Sequence, residues 1–346
     1  MNNNLFNFAT KELSQDAFIC WLCSFAIDDV ECEEEALREC ARDLVCDFLS
    51  VDRGSDVKLL EVKKQVNNID VLLTAEYNGK RYAIIVEDKV HTSEHDDQLQ
   101  RYKNTVKVET DTEVIGVYFK TGFQSDYSKV INAGYNIIDR RKILDLFNKY
   151  IDQIQNDIFN DFYLYWKNYE TIVNSYKEYS LNEWNDSKQV NGFFENMQNE
   201  LVTNMDCWAG YGWVNNRGGG FWGFWYGYND DDISIKGNKE ASAALYLQVE
   251  IRWNYEENHY DYNICLKLER KNGDDESIRN IRNKLIENMK SYGFERPNRV
   301  RLSDYMTIGT YKVECSTSDE LKECIMNSME KGLKPLLEMG EIECDC

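Results

Sequence analysis

The chain has 346 residues, 42% of them hydrophobic and 13% aromatic, with 61 acidic against 40 basic side chains and a net charge of −21. That length accommodates two domains with cores of their own, and the apolar content excludes an intrinsically disordered chain. The longest apolar run, Ala17 to Ile27, is about half of what a membrane-spanning helix needs, and Met1-Asn2-Asn3-Asn4 lacks the basic and apolar parts of a secretory leader, so a cytoplasmic protein is expected.

Thr10 is placed to cap a helix running through about Ile27, in which Leu13, Ala17, Cys20, Trp21, Ser24 and Phe25 recur at helical spacing. Its first turns put Glu12, Gln15 and Asp16 on a common polar face; acids there also suit the helix dipole without any further role. A second helix is expected over about Glu33 to Leu49. Ile69 to Ala75 and Tyr82 to Val90 read as strands joined by the turn Tyr77-Asn78-Gly79-Lys80. Ser93-Glu94-His95-Asp96 has the pattern of a capping box, opening a helix to about Val106 from which Gln98 and Tyr102, at i and i+4, project together. Strands at Glu113 to Lys120 and Tyr135 to Ile138 follow, then helices at Arg140 to Tyr150 and Ile158 to about Tyr179.

Beyond about Asn182 the composition changes, with six of the eight Trp at position 184 or later. Cys207 to Tyr228 alternates aromatics with Gly and turns at Arg217-Gly218-Gly219-Gly220, which predicts an aromatic hairpin. Ala244 to Trp253 and Tyr260 to Leu268 form a second antiparallel pair. A helix at Ser277 to Tyr292, a short strand pair around Val300 and Gly309 to Glu314, and a terminal helix from Asp319 to Met339 complete an α+β module. Two domains are expected, 1–181 and 182–346.

The chemistry concentrates where the first two strands meet. Period-2 alternation puts Glu87 and Lys89 on one face of their strand and Asp88 on the other, with Asp70 at the start of the neighbouring strand. Carboxylate oxygens suit a hard cation such as Mg²⁺ or Mn²⁺, and a Lys beside it orients or deprotonates an attacking water, an apparatus for phosphodiester hydrolysis. The same residues also make an ordinary surface salt-bridge cluster, which would contribute little stability.

Asp70, sixteen residues, then Glu87-x-Lys89 resembles the D-x(n)-(D/E)-x-K signature of the PD-(D/E)XK nuclease superfamily, in particular its uncharacterised prokaryotic and phage branch. Gln98-Leu99-Gln100-Arg101-Tyr102 matches the Q-x(3)-Y element of its RecB-like members, and Glu12 lies on an N-terminal helix where many members carry a Glu. The resemblance covers roughly residues 5 to 150; Ile69 stands where Pro precedes the Asp in the signature. It implies an α/β, restriction-endonuclease-like three-layer core with a mixed sheet, followed here by the α+β domain with its antiparallel sheet. It further implies a Mg²⁺- or Mn²⁺-dependent nuclease in which Asp70, Glu87, Glu12 and the Asp88 backbone carbonyl serve the metal. Lys89 then positions water, while Gln98 and Tyr102 hold the substrate phosphate or brace Lys89. Gln15, Asp16, His91, Arg101 and Lys103 are candidate substrate contacts. Nucleic acid, DNA ahead of RNA, is the expected partner, in defence or genome maintenance, with a protein or a second copy as a further partner of the C-terminal domain.

The acidic charge weighs against this reading, because nucleic-acid affinity is driven largely by Lys and Arg. Residues 28 to 39 hold seven acids and one Arg, whereas Lys58, Lys63, Lys64, Lys80, Arg81, Arg101, Lys103, Lys107, Arg140, Arg141 and Lys142 flank the site in sequence. The alternative is a binding or regulatory protein that kept the fold and lost efficient turnover. His91-Thr92-Ser93-Glu94-His95 formally matches an inverted zinc-protease motif, but a helix capped at Ser93 leaves His91 outside it. Eleven cysteines, an odd number widely spread, read as free thiols, and Cys20-x-x-Cys23 as core packing. Arg217-Gly-Gly-Gly lacks the Lys-Ser/Thr of a phosphate-binding loop, and Trp208, Trp213, Trp222 and Trp225 suit either an aromatic core or base stacking.

Overall fold

The computed structural model describes residues 3–94, 97–106, 111–216, 219–229, 232–235, 238–298, 300–338 and 342–344. It divides into two compact units, Met1–Glu170 and Thr171–Cys346. Among the described residues no helix is long and apolar enough to cross a membrane.

The first unit contains helices α1 (Glu12–Ser24) and α2 (Glu35–Leu49), then strands β1 (Lys58–Val66), β2 (Ile69–Tyr77) and β3 (Lys80–Lys89). Helix α3 (Gln98–Thr105), β4 (Thr112–Lys120), α4 (Ser128–Asn132), β5 (Tyr135–Asp139) and α5 (Arg140–Asn148) follow, and α6 (Asp157–Asn174) has all but its last four residues in this unit. The sheet order is β1-β2-β3-β4-β5, antiparallel from β1 to β3 and parallel from β3 to β5. Asn78 and Gly79, at φ 50° and 72°, form the two-residue hairpin turn in which both centres are left-handed, and Tyr77 pairs with Lys80. That register places Val71 opposite Val86.

Central strand β3 is buried continuously from Ala83 to Lys89, as a strand between two helical layers must be. Phe18 of α1 stacks on Phe162 of α6 at 3.6 Å, and Phe48 of α2 meets Phe119 of β4, filling one layer. On the opposite face Leu99 and Tyr102 of α3 pack with Ile85, Tyr118, Val130 and Tyr135. The result is the three-layer α/β/α core with a mixed sheet.

Strand β1 has no counterpart in the sequence expectation. Only Leu59 of its nine residues is buried, and Lys58, Lys63 and Lys64 project from a sheet edge, so its apolar signal is faint. The helix expected from Ser93 begins instead at Gln98, with Asp97 at its N-cap and no side-chain cap bond. Glu94, which the expected helix would place in its first turn, is buried and accepts hydrogen bonds from Tyr118 Oη (3.1 Å) and Gln124 Nε2 (3.1 Å), so tertiary contacts hold the chain ahead of the helix. His95 and Asp96 lie outside the described residues.

In the second unit come α7 (Ser187–Asn204), β6 (Cys207–Val214), β7 (Phe221–Tyr228), β8 (Asp232–Ile235), β9 (Asn238–Asn254), β10 (His259–Asn272) and α8 (Asp275–Asn288). The chain continues through β11 (Phe294–Glu295), β12 (Tyr305–Tyr311), α9 (Ser318–Asn327), a π-helical turn (Ser328–Leu333), α10 (Lys334–Leu337) and β13 (Ile342–Cys344). The antiparallel sheet runs β11-β12-β10-β9-β7-β6, with β8 beside β9 and β13 beside β8. Val300 lies in no strand; β12 pairs with β11 instead, where Phe294 is buried beneath Tyr311. Residues Lys107, Arg217, Gly218 and Met339 from the sequence reading fall outside the described set. The nine cysteines with described side chains are free thiols, and Cys23 is fully buried in α1.

Candidate active site

One step beyond the Val71–Val86 pair stand Asp70 and Glu87, so the hairpin register brings these two carboxylates together where β3 parts from β2 while still paired with β4. Asp70 Oδ2 accepts the Asp88 backbone N–H at 2.9 Å, which fixes that carboxylate against the neighbouring strand. Lys89, two residues on and on the same face as Glu87, donates to Glu87 Oε1 through a short contact; the two side chains are 9% and 0% exposed. Lys89 Nζ also lies 3.3 Å from the Asp88 carbonyl oxygen.

The first turn of α3 supplies the next partners. Gln98 Nε2 donates to Glu87 Oε1 at 2.8 Å and contacts Tyr102 Oη at 2.7 Å. Their i, i+4 spacing on one helix face makes this possible. On the other face of β3 the first turns of α1 approach. Gln15 donates through Nε2 to Asp88 Oδ1 and accepts through Oε1 from Thr121 Oγ1 (3.0 Å), and Asp16 is 2% exposed beside Asp88. Glu12 Oε1 accepts the Val90 N–H (3.1 Å) and the Thr92 hydroxyl (2.7 Å), tying α1 to the exit of β3.

Burial and like charge dominate the electrostatics. Burial, then the charge of Asp70, pushes Glu87 up to about 7. Burial and Asp70 likewise raise Asp16 to about 6, and burial holds Asp88 well above the ordinary carboxylate range. For Glu12 burial acts upward but is outweighed by the Thr92 and Val90 hydrogen bonds and by Lys89 and Lys120, so it stays below the usual range. Burial alone would lower Lys89, yet the charges of Glu87, Asp70 and Glu12 raise it. It therefore rests as an ammonium.

Three buried carboxylate oxygens here, Asp16 Oδ1, Glu87 Oε2 and Asp88 Oδ2, have no hydrogen-bond partner among the described residues. Unpaired buried carboxylate oxygens are costly, and a bound cation is a common reason for them. With carboxylate and carbonyl oxygen as the donors, the residues fit a hard divalent ion rather than zinc.

His91 and Arg101 are exposed. Lys103 directs its ammonium to the carbonyls of Ala133 and Gly134, each at 2.8 Å. Among the flanking cations, Lys80 and Arg81 lie at the turn end of β3, about 20 Å from Glu87 at strand spacing. Arg140 is buried and bonds Glu170 and the Thr121 carbonyl, whereas Lys64 reaches the Leu13 carbonyl at 3.0 Å on the α1 side.

The sequence reading missed Lys120 and Thr121. Lys120 is in parallel register with Lys89, is 1% exposed, and donates to the carbonyls of Val90 (3.1 Å) and Thr92. Burial brings its pKa down to about 8. The signal was an apolar strand ending abruptly in Lys-Thr, as β3 ends in Glu-Asp-Lys.

A scan against protein-family models matches residues 4–203 to a family described as PD-(D/E)XK nuclease superfamily. No curated protein and no solved structure matches the chain. The matched segment covers more than half of the 346 residues and includes the helix, the hairpin and the Gln98–Tyr102 element that build this centre, and the chain belongs to the PD-(D/E)XK nuclease superfamily.

Proposed function

We propose that this protein is a metal-dependent nuclease that hydrolyses phosphodiester bonds, with DNA the first substrate to test and a role in defence or genome maintenance. The observation that carries the reading is the junction of Asp70, Glu87 and Lys89 beside a buried carboxylate oxygen that nothing in the described protein satisfies. Asp70, Glu87 and the Asp88 carbonyl would hold a Mg²⁺ or Mn²⁺ ion, and Glu12 borders the same strand exit. When bound, that ion polarises the phosphate and lowers the pKa of a ligated water.

The side chains divide the remaining work. The Asp88 N–H and Gln98 each fix one carboxylate by a single oxygen, leaving Glu87 Oε2 available. Lys89, kept protonated by Glu87, orients water and faces the charge that builds on the phosphate; it acts as a donor rather than as the resting base. Tyr102 sets the Gln98 amide. The second unit serves as an accessory module for substrate or partner recognition.

The test is incubation of the purified protein with single- and double-stranded DNA and RNA at low salt, with Mg²⁺, Mn²⁺ or EDTA. Cleavage that EDTA abolishes supports the proposal and names the substrate class. Intact substrate with both metals, from protein that binds them, would refute it.

A further inference from the structure

The antiparallel sheet of the second unit has two unlike faces. Phe224, Tyr226, Leu247, Val249 and Leu266 line one, where Phe194 of α7 stacks on Phe224 at 5.3 Å and Tyr226 bonds Ser328 of the π-helical turn. The opposite face holds a cavity of about 670 Å³ walled by Trp208, Trp225, Tyr246, Gln248, Glu250 and Arg252.

Trp225 is its floor. The residue paired with it across the strands is Gly210, and two residues along, on the same face, Gly212 pairs with Gly223. A Cβ at Gly210 would stand 2.4 Å from Trp225 Nε1, while Cβ atoms at Gly212 and Gly223 would meet the far side of the ring at 3.5 and 3.4 Å. The indole therefore lies flat on backbone that glycine leaves bare, one π face against the sheet and the other toward the cavity. Nearby, the Arg252 guanidinium lies 4.2 Å over the Phe221 ring.

Beside this platform runs a row of hydrogen-bonding groups. Gln248, cross-strand neighbour of Trp225 and 7% exposed, donates to Glu250 Oε1 at 3.1 Å, and Glu250 Oε2 accepts from Arg252 at 2.8 Å. A flat π surface edged by amide, carboxylate and guanidinium suits a ligand that is aromatic on its faces and polar on its rim. An acyl chain would leave the polar row unmatched, and a phosphate without a base would meet Glu250 with no use for the indole.

We infer that this cavity binds a nucleobase, carried by a free nucleotide or by a single-stranded segment of nucleic acid, stacked on Trp225 with its edge read by Gln248 and Glu250. The inference does not rest on hydrolysis in the first unit. Stacking of this kind is sequence-tolerant and needs little positive charge at the base itself.

The test uses the full chain in EDTA, so that cleavage plays no part, and follows tryptophan fluorescence and heat. The ligands are nucleoside monophosphates, a short single-stranded oligonucleotide, and an abasic strand of equal length. Base-bearing ligands should quench and bind, the abasic strand far less. Saturation by monophosphates identifies a free nucleotide as the source, and saturation by the strand alone identifies nucleic acid. Trp225→Ala and Gly210→Val should each weaken binding about 5- to 100-fold. Trp225→Phe, which keeps a ring, should retain most of it, separating a lost platform from a lost fold. No binding, equal binding of abasic and normal strands, or unchanged affinity in Trp225→Ala overturns the inference. Self-association through this face, abolished by the same substitutions, would overturn it too.

Discussion

Replacing Lys89 with Ala removes the ammonium that bonds Glu87 while leaving the β3 ladder intact, so it separates holding a cation from using one. Breaking a buried ion pair by deleting one partner costs about 3–5 kcal/mol when the remaining charge is trapped. Glu87 is not trapped, because burial and Asp70 already raise its pKa to about 7. Protonating it costs about 0.4 kcal/mol at pH 7 and about 2 kcal/mol at pH 8.5. The sign follows from a folded pKa raised above the unfolded value of 4.5: the group's contribution is fully present below that value and is lost as pH climbs through the folded pKa. The Lys89→Ala deficit in urea unfolding should therefore be about 1 kcal/mol or less near pH 6.5 and grow by about 1.4 kcal/mol for each unit above 7. Metal-ion affinity in calorimetry should rise, on the order of tenfold, once a like charge beside the carboxylates is gone. Cleavage should fall at least about a hundredfold. A deficit independent of pH would show that Lys89 does not compensate Glu87, and loss of metal binding would show that it helps build the cation site. Either result refutes the division of labour proposed above.

Gln98→Ala removes one of the two donors that hold Glu87 Oε1 and should weaken Mn²⁺ binding about 10- to 100-fold in calorimetry, with circular dichroism unchanged and Tyr102→Phe milder. Asp43 accepts from Gly54 N (2.7 Å), Lys149 Nζ (2.8 Å) and Tyr150 Oη (2.6 Å). Burial acts upward on Asp43, but these bonds outweigh it and hold its carboxyl below the usual carboxylate range. Its stabilisation is thus present above about pH 4 and lost as pH falls through the folded value. Asp43→Asn should cost about 1–3 kcal/mol near pH 7 and progressively less below pH 4 in acid-unfolding curves. Gly79, at φ 72° with open space around its Cβ position, should cost about 1 kcal/mol or more when replaced by Val, purely through backbone strain, as read by chemical denaturation.

The hairpin and its centre were legible because local chemistry and tertiary need agree there. Asn78-Gly79 demands a tight turn, the turn sets the register, and the register places Asp70 beside Glu87. Gln98 and Tyr102 were legible because the Q-x(3)-Y resemblance singles them out and helical spacing sets them on one face. Elements set by long-range contacts were not. Ser93 to Asp96 has a capping pattern, yet Tyr118 and Gln124 engage the Glu94 side chain within it and the helix starts later. Strand β1 carries an edge strand's lysines, which hide its alternation. Lys120 enters only because parallel pairing of β3 with β4 sets it beside Lys89, a contact between residues thirty-one apart in sequence. The terminal helix was expected to run unbroken, whereas a π-helical turn at Ser328–Leu333 places Ser328 against Tyr226.

The central claim concerns the use of these carboxylates on a phosphodiester. It is tested most directly by comparing cleavage of one end-labelled DNA by wild type and Asp70→Ala, purified side by side, across a Mn²⁺ titration. Wild-type cleavage that rises with Mn²⁺, together with a variant that folds yet stays inactive at every concentration, is the predicted result. Equal cleavage by the two proteins, or cleavage that persists in EDTA, would contradict the account.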